Sequence, residues 1–178
     1  MILADGFEEI EALAPADVLR RLGFDLILAG LTGKMVKGSH GISVAADVEL
    51  AAIDYLPDVL ILPGGMPGSV NLRDSELVIR LIRMVADAHK PLAAICAAPI
   101  ALHAAGVTKD RTLTSHPSVK EILKDCAHTG RRVERDGQLV TAMGPGAAFE
   151  FAVAIADLLG KGKEARQLLK DMFIVIPQ

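Results

Sequence analysis

Short apolar runs alternate with helix-period stretches almost from one end of the chain to the other. The apolar runs are Ile2–Ala4, Asp25–Ala29, Val59–Leu62, Leu92–Ile95, Thr112–Thr114 and Leu139–Thr141, and each reads as a strand. Amphipathic patterns between them predict helices over Glu9–Leu22, Glu76–Ala88, Ile100–Ala105, Ser118–Lys124 and Ala147–Leu159. A last helix is predicted at Glu164–Met172, followed by an apolar tail, Phe173–Pro177. Strands that are apolar throughout and separated by helices predict an α/β fold, a parallel sheet covered on both faces. Met35–Val48 departs from this rhythm: short alternating runs among Gly33, Gly38 and Gly41 predict a β-hairpin beside the sheet. No repeat or low-complexity linker divides the chain, so one domain is expected over residues 1–178. The first strand starts at Met1 and is short against the usual five or so residues. Either the native chain starts upstream or the fold tolerates a clipped strand.

Composition narrows the function. A chain of 178 residues, 51% apolar and 23% charged, can bury a sizeable core. A net charge of −3, no Trp and one Tyr argue against a nucleic-acid partner, which needs basic surface or stacking rings. No apolar run approaches the roughly 20 residues that cross a bilayer, and there is no secretory leader pattern, so no membrane role is expected. The two cysteines form no CxxC, which points to a reducing, cytoplasmic setting.

The chemistry gathers where strands end. In open α/β sheets, ligands bind beyond the carboxyl ends of the strands. Asp5-Gly6 and the acids Glu8, Glu9 and Glu11 follow the first strand; Pro63-Gly64-Gly65 follows the third; Cys96 follows the fourth. Ser115-His116-Pro117 and Gly144-Pro145-Gly146 follow the last two. In Leu92–Pro99 a buried strand stops at Cys96, and Pro99 suits the first turn of a helix. That corner reads either as a nucleophile elbow or as a small residue filling a tight turn. The elbow reading predicts a positive φ at Cys96, and helix N–H groups that favour thiolate. Gly64 and Gly65 offer a side-chain-free backbone that could face a substrate oxygen, or simply a tight turn. Glu8 and Glu11, three apart, share a helix face while Glu9 points elsewhere. A Glu11 turned inward would be kept protonated by burial and could donate to sulfur. His116 reads as a loop histidine near the site or a solvated one. His40, His89, His103 and His128 show no metal-ligand spacing, and Cys126 reads as an incidental thiol, so no metal is expected.

Taken together, Leu3–Glu11, Leu62–Gly65, Ala94–Pro99, Thr114–Pro117 and Gly144–Gly146 followed by Phe149-Glu150-Phe151 resemble the ThiJ/PfpI superfamily, in the branch of the Parkinson-associated deglycase and its bacterial relatives. The resemblance runs over nearly the whole chain. It implies a flavodoxin-like sandwich and a homodimer with the first helix near the interface. It makes Cys96 the reactive cysteine, Glu11 the acid that hydrogen-bonds it, and His116 a nearby histidine set slightly too far off to be a firm base. Gly65 and Ala97 match the oxyanion-pocket positions, with Gly64 beside them. One departure matters: peptidase-like and chaperone-like branches carry histidine directly after the cysteine, where this chain has Ala97, which argues against proteolysis and amidotransferase-like hydrolysis. The resemblance implies activity on reactive dicarbonyls or early glycation adducts, without glutathione, metal or other cofactor. The alternative is a redox-sensing protective chaperone working through Cys96 oxidation. A thiazole-phosphate role in thiamine synthesis is disfavoured, because no phosphate loop is evident.

Overall fold

The computed structural model describes residues 1–176. Pro177, the end of the expected apolar tail, lies outside the described residues. In chain order the elements are β1 (Ile2–Leu3), α1 (Glu9–Arg21), β2 (Ala29–Gly30), β3 (Met35–Lys37), β4 (Ser43–Ala45) and β5 (Val48–Glu49). Then come β6 (Leu60–Leu62), α2 (Gly68–Asp74), α3 (Glu76–Asp87), β7 (Leu92–Ile95), α4 (Pro99–Ala104) and β8 (Thr112–Leu113). A 3-10 segment, Pro117–Leu123, leads to β9 (Ala127–His128), β10 (Val133–Asp136), β11 (Leu139–Ala142), α5 (Ala148–Leu158) and α6 (Gly162–Asp171).

The strands order as β5-β2-β1 and β6-β7-β11-β10, with β1 packed against β6. All ladders within these two sets are parallel except β10–β11. Alternate side chains then feed two cores. Leu3, Ile61, Ile95 and Val140 pack with α1, α5 and α6 through Ala12, Leu19, Phe151 and Leu169. Ile2, Leu62 and Ala94 pack with α2, α3 and α4 through Leu72, Ile82, Ile100 and Leu102. This is a flavodoxin-like α/β sandwich. The chain runs outward from β1 to β2, then returns to place β6 on the other side of β1. That reversal makes a crevice beyond the carboxyl ends of β1 and β6, with β7 next to it.

Several elements differ from the sequence expectation. The second strand pairs only at Ala29–Gly30, not from Asp25, because the register Ile2↔Ala29 puts Met1 opposite Leu28 and leaves residues 25–27 no ladder partner on β1. Thr112–Leu113 pairs with β9 rather than with the central sheet. The helix expected at Ser118–Lys124 is the 3-10 segment. The hairpin is present as β3–β4, and its outgoing strand continues into β5 at the sheet edge.

Candidate active site

β7 ends at Ile95 and α4 begins at Pro99, so the chain must turn within three residues. Cys96 takes that turn at φ 63°, the left-handed region that the elbow reading predicted. A non-glycine residue there costs about 1–3 kcal/mol and persists only where the surroundings hold it. They do: the Cys96 N–H donates to Ala142 O (2.8 Å) at the end of β11, and its carbonyl accepts from the His116 N–H (2.8 Å). Sheet and loop thus clamp the corner on both sides, leaving the thiol half-buried.

Glu11 reaches this corner from the first turn of α1. The helix begins at Glu8, whose side chain caps it by accepting the Glu11 N–H (2.8 Å). The Glu11 side chain is 0% exposed. Its Oε2 accepts the Gly64 N–H (2.9 Å), while Oε1 has no hydrogen-bond partner among the described residues. Gly64 is what permits this packing, since a Cβ there would lie 2.6 Å from the Cys96 Cβ and collide with Glu11 Oε2. Burial, above all, pushes the Glu11 carboxyl up to about 7, helped by the Glu8 charge and opposed by the Cys96 thiol and the Gly64 N–H.

The cysteine corrects one expectation. Burial and the Glu11 charge push the Cys96 thiol up to about 12, although the Gly65 and Ala97 N–H groups pull it down. Thiolate is therefore not free to form while Glu11 is ionised. The two acids behave as one unit: between about pH 7 and about 12 the pair holds a single proton. That proton sits either on sulfur or on Glu11. Oε1 is buried and, among the described residues, has no partner of its own, which leaves the carboxyl an oxygen free to carry the proton. In that second arrangement Cys96 is a thiolate facing a carboxylic acid.

The other expected residues divide. The N–H groups of Gly65 and Ala97 lie against the sulfur. Gly64 does not join them, because its N–H is committed to Glu11. His116 is exposed, and its Nδ1 bonds Ser118 Oγ (2.8 Å) rather than the thiol. It supports the site through its backbone. Glu9 turns away from the cysteine to the hairpin, accepting from the His40 N–H (2.8 Å) and pairing with His40 Nδ1 (2.8 Å). Sequence reasoning missed Glu8 as the cap that fixes Glu11, a role signalled by its place just before the helix.

A cavity of about 430 Å³ opens at the opposite edge of the sheet, among Met1, Ile27, Tyr55 and Leu60. Its walls are mainly apolar and hold neither cysteine, so the chemistry is placed at Cys96.

The fold and corner define an α/β protein with a cysteine elbow at the sheet's switch point. The DJ-1/PfpI family model matches residues 1–158, and the chain belongs to that family. It is 39% identical over 179 residues to protein dj-1beta of Drosophila melanogaster, covering 98% of this chain and 95% of that protein. The crystal structure of that Drosophila protein superposes with a TM-score of 0.93, covering 98% of this chain and 96% of the other. The glutathione-independent glyoxalase DJR-1.2 of Caenorhabditis elegans is 32% identical over 168 residues, covering 93% of this chain and 89% of that protein. Toxoplasma gondii DJ-1, solved in an oxidized form, has a TM-score of 0.92 at 28% identity, covering 98% of this chain and 97% of that one.

Proposed function

We propose that this chain converts reactive dicarbonyls, with methylglyoxal as the simplest, to hydroxy acids through Cys96 and without glutathione. The observation that carries this reading is a cysteine at φ 63° beside a buried Glu11 whose carboxyl burial pushes up to about 7. In the thiolate form, sulfur adds to the aldehyde carbon. The carbonyl oxygen takes up negative charge near the Gly65 and Ala97 N–H groups, donors already fixed in place. The Glu11 proton neutralises that oxygen, giving a hemithioacetal. The Glu11 carboxylate then removes the hydrogen of the same carbon as a proton, giving an enediol, and returns it to the neighbouring carbon while the hydroxyl proton passes from the first oxygen to the second. The product is a lactoyl thioester, which water hydrolyses, releasing lactate and restoring the thiol. The sum is one methylglyoxal and one water to one lactate. Early glycation adducts would enter by the same addition. A relative named as a glutathione-independent glyoxalase supports the assignment.

The protein is expected to act in the cytoplasm as a homodimer. Ile10 and Leu13 on α1 and Ile42 on the hairpin are exposed, at 53%, 37% and 56%. The Ile42 N–H reaches Glu9 Oε1 (3.4 Å), which sets the hairpin against α1 beside Ile10. A second copy would cover this apolar surface.

A second reading has its own support. A half-buried thiol beside the Glu11 carboxyl could be oxidised to sulfenic and sulfinic acid, with Glu11 donating to the new oxygen. The oxidized Toxoplasma relative fits that chemistry. Lactate formation from methylglyoxal without glutathione tests the choice. Turnover in wild type that vanishes in Cys96→Ser supports the enzyme. No turnover, with peroxide adding two oxygens at Cys96, replaces it with the redox sensor.

A further inference from the structure

A second cluster of chemistry-bearing side chains lies at the far end of α4 from the elbow. His103 sits in the last turn of α4, and Asp125 and Cys126 precede β9. No sequence spacing joins them; the pairing of β8 with β9 does. Asp110 N–H donates to Asp125 O (3.2 Å) and Ala127 N–H to Arg111 O (2.9 Å), which fixes Asp125-Cys126 beside the α4–β8 loop.

We propose that His103 Nδ1, Asp125 Oδ1 and Cys126 Sγ form a binding site for a thiophilic divalent cation of the zinc type. The three atoms lie within 4.8 Å of one another. Two edges of the triangle are 3.3 Å each, Nδ1 to Oδ1 and Sγ to Oδ1. Tetrahedral zinc with bonds of about 2.0–2.3 Å sets its ligands roughly 3.3–3.6 Å apart, a spacing these two edges already approach, while the third, Nδ1 to Sγ, lies within 4.8 Å. The donor set of thiolate, imidazole and carboxylate is also the one such an ion selects.

The hydrogen-bond count points the same way. Cys126 Sγ faces two acceptors, Thr108 O (3.2 Å) and Asp125 Oδ1 (3.3 Å), and its single proton can serve only one. His103 Nδ1 lies between the Thr108 hydroxyl (3.1 Å), which can donate to it, and Asp125 Oδ1 (3.3 Å), which as a carboxylate accepts. Asp110 adds a further negative charge within reach of the thiol. A cation at the centre satisfies this surplus of electron pairs. On binding, the Cys126 proton leaves to solvent and the thiolate becomes a ligand. The site stays accessible, because Asp125 is exposed and His103 and Cys126 are half-buried.

Cobalt(II) serves as the probe, because a thiolate ligand gives it a sulfur-to-metal charge-transfer band. Metal-free wild-type protein, kept reduced, is titrated with Co²⁺, and Zn²⁺ is then added in competition. The expected result is one equivalent of Co²⁺ with that band, displaced by Zn²⁺, kept in Cys96→Ser and lost in Cys126→Ser. His103→Ala should weaken binding by at least about tenfold, since even losing a ligand's outer partner costs 10–100-fold. The proposal is overturned by the absence of a band in wild type. It is equally overturned by a band that survives Cys126→Ser or disappears in Cys96→Ser, which would put the metal at the other cysteine.

Discussion

Replacing Glu11 by Gln should make the protein more stable at alkaline pH while impairing its chemistry. Burial raises the Glu11 carboxyl from its ordinary 4.5 to about 7 in the folded chain. The protonated form therefore favours folding, fully so below about pH 4.5, and this contribution is lost as pH rises through about 7. At about 1.36 kcal/mol per pH unit, the whole swing is about 3 kcal/mol. Gln keeps an oxygen to accept the Gly64 N–H and carries no charge at any pH. Relative to wild type, Glu11→Gln should thus be close to neutral at pH 4 and more stable by about 3 kcal/mol at pH 8. Urea unfolding of both proteins at several pH values measures this directly, read as midpoint and slope. Parallel stability curves for the two proteins would refute the reasoning, because they would mean that Glu11 ionises in the fold as easily as in the unfolded chain.

Three further outcomes follow from the same geometry. His116→Ala should lower methylglyoxal turnover by less than about tenfold, or about 1.4 kcal/mol, because the imidazole is turned to Ser118 while the backbone bond to Cys96 survives; a loss comparable to Cys96→Ser would make the ring itself essential. Gly64→Ala should destabilise the protein by about 1–3 kcal/mol in chemical denaturation, since the added methyl overlaps both Cys96 Cβ and Glu11; unchanged stability would show that the corner is loosely packed. Ile10→Lys should convert a dimer to monomers in sedimentation at micromolar concentration, and an unchanged sedimentation coefficient would place the interface elsewhere.

The central strands and most helices were legible because burial on both faces writes itself as continuous apolar runs, as in Leu92–Ile95 and Leu139–Ala142. The elbow was legible for a related reason, as one of two readings of an apolar strand running into Cys96 and then Pro99; the φ of 63° at Cys96 decides between them. Less was visible where tertiary contacts override local pattern. α2 begins Gly68-Ser69-Val70-Asn71, which are weak helix formers, and it forms because Leu72 is buried under the sheet. β10 is largely polar, as suits an antiparallel edge strand, and its signal was the turn at Gly137 between two short runs. The protonation state of Cys96 was legible only in part: the Glu11 carboxyl was weighed, but not the burial of the sulfur itself, which is the largest influence opposing the backbone N–H groups. The grouping of His103 with Cys126, more than twenty residues apart, depends on strand pairing that no spacing rule encodes.

The rate of Cys96 alkylation against pH, compared in wild type and Glu11→Gln, tests the shared proton most directly. The wild-type rate should rise through about pH 7, because loss of the pair's first proton opens the minor form in which the remaining proton sits on Glu11 and Cys96 is a thiolate. In Glu11→Gln that step should disappear, leaving only the titration of the thiol itself. An identical step near pH 7 in both proteins would contradict the account, because the reactive thiolate would then owe nothing to Glu11.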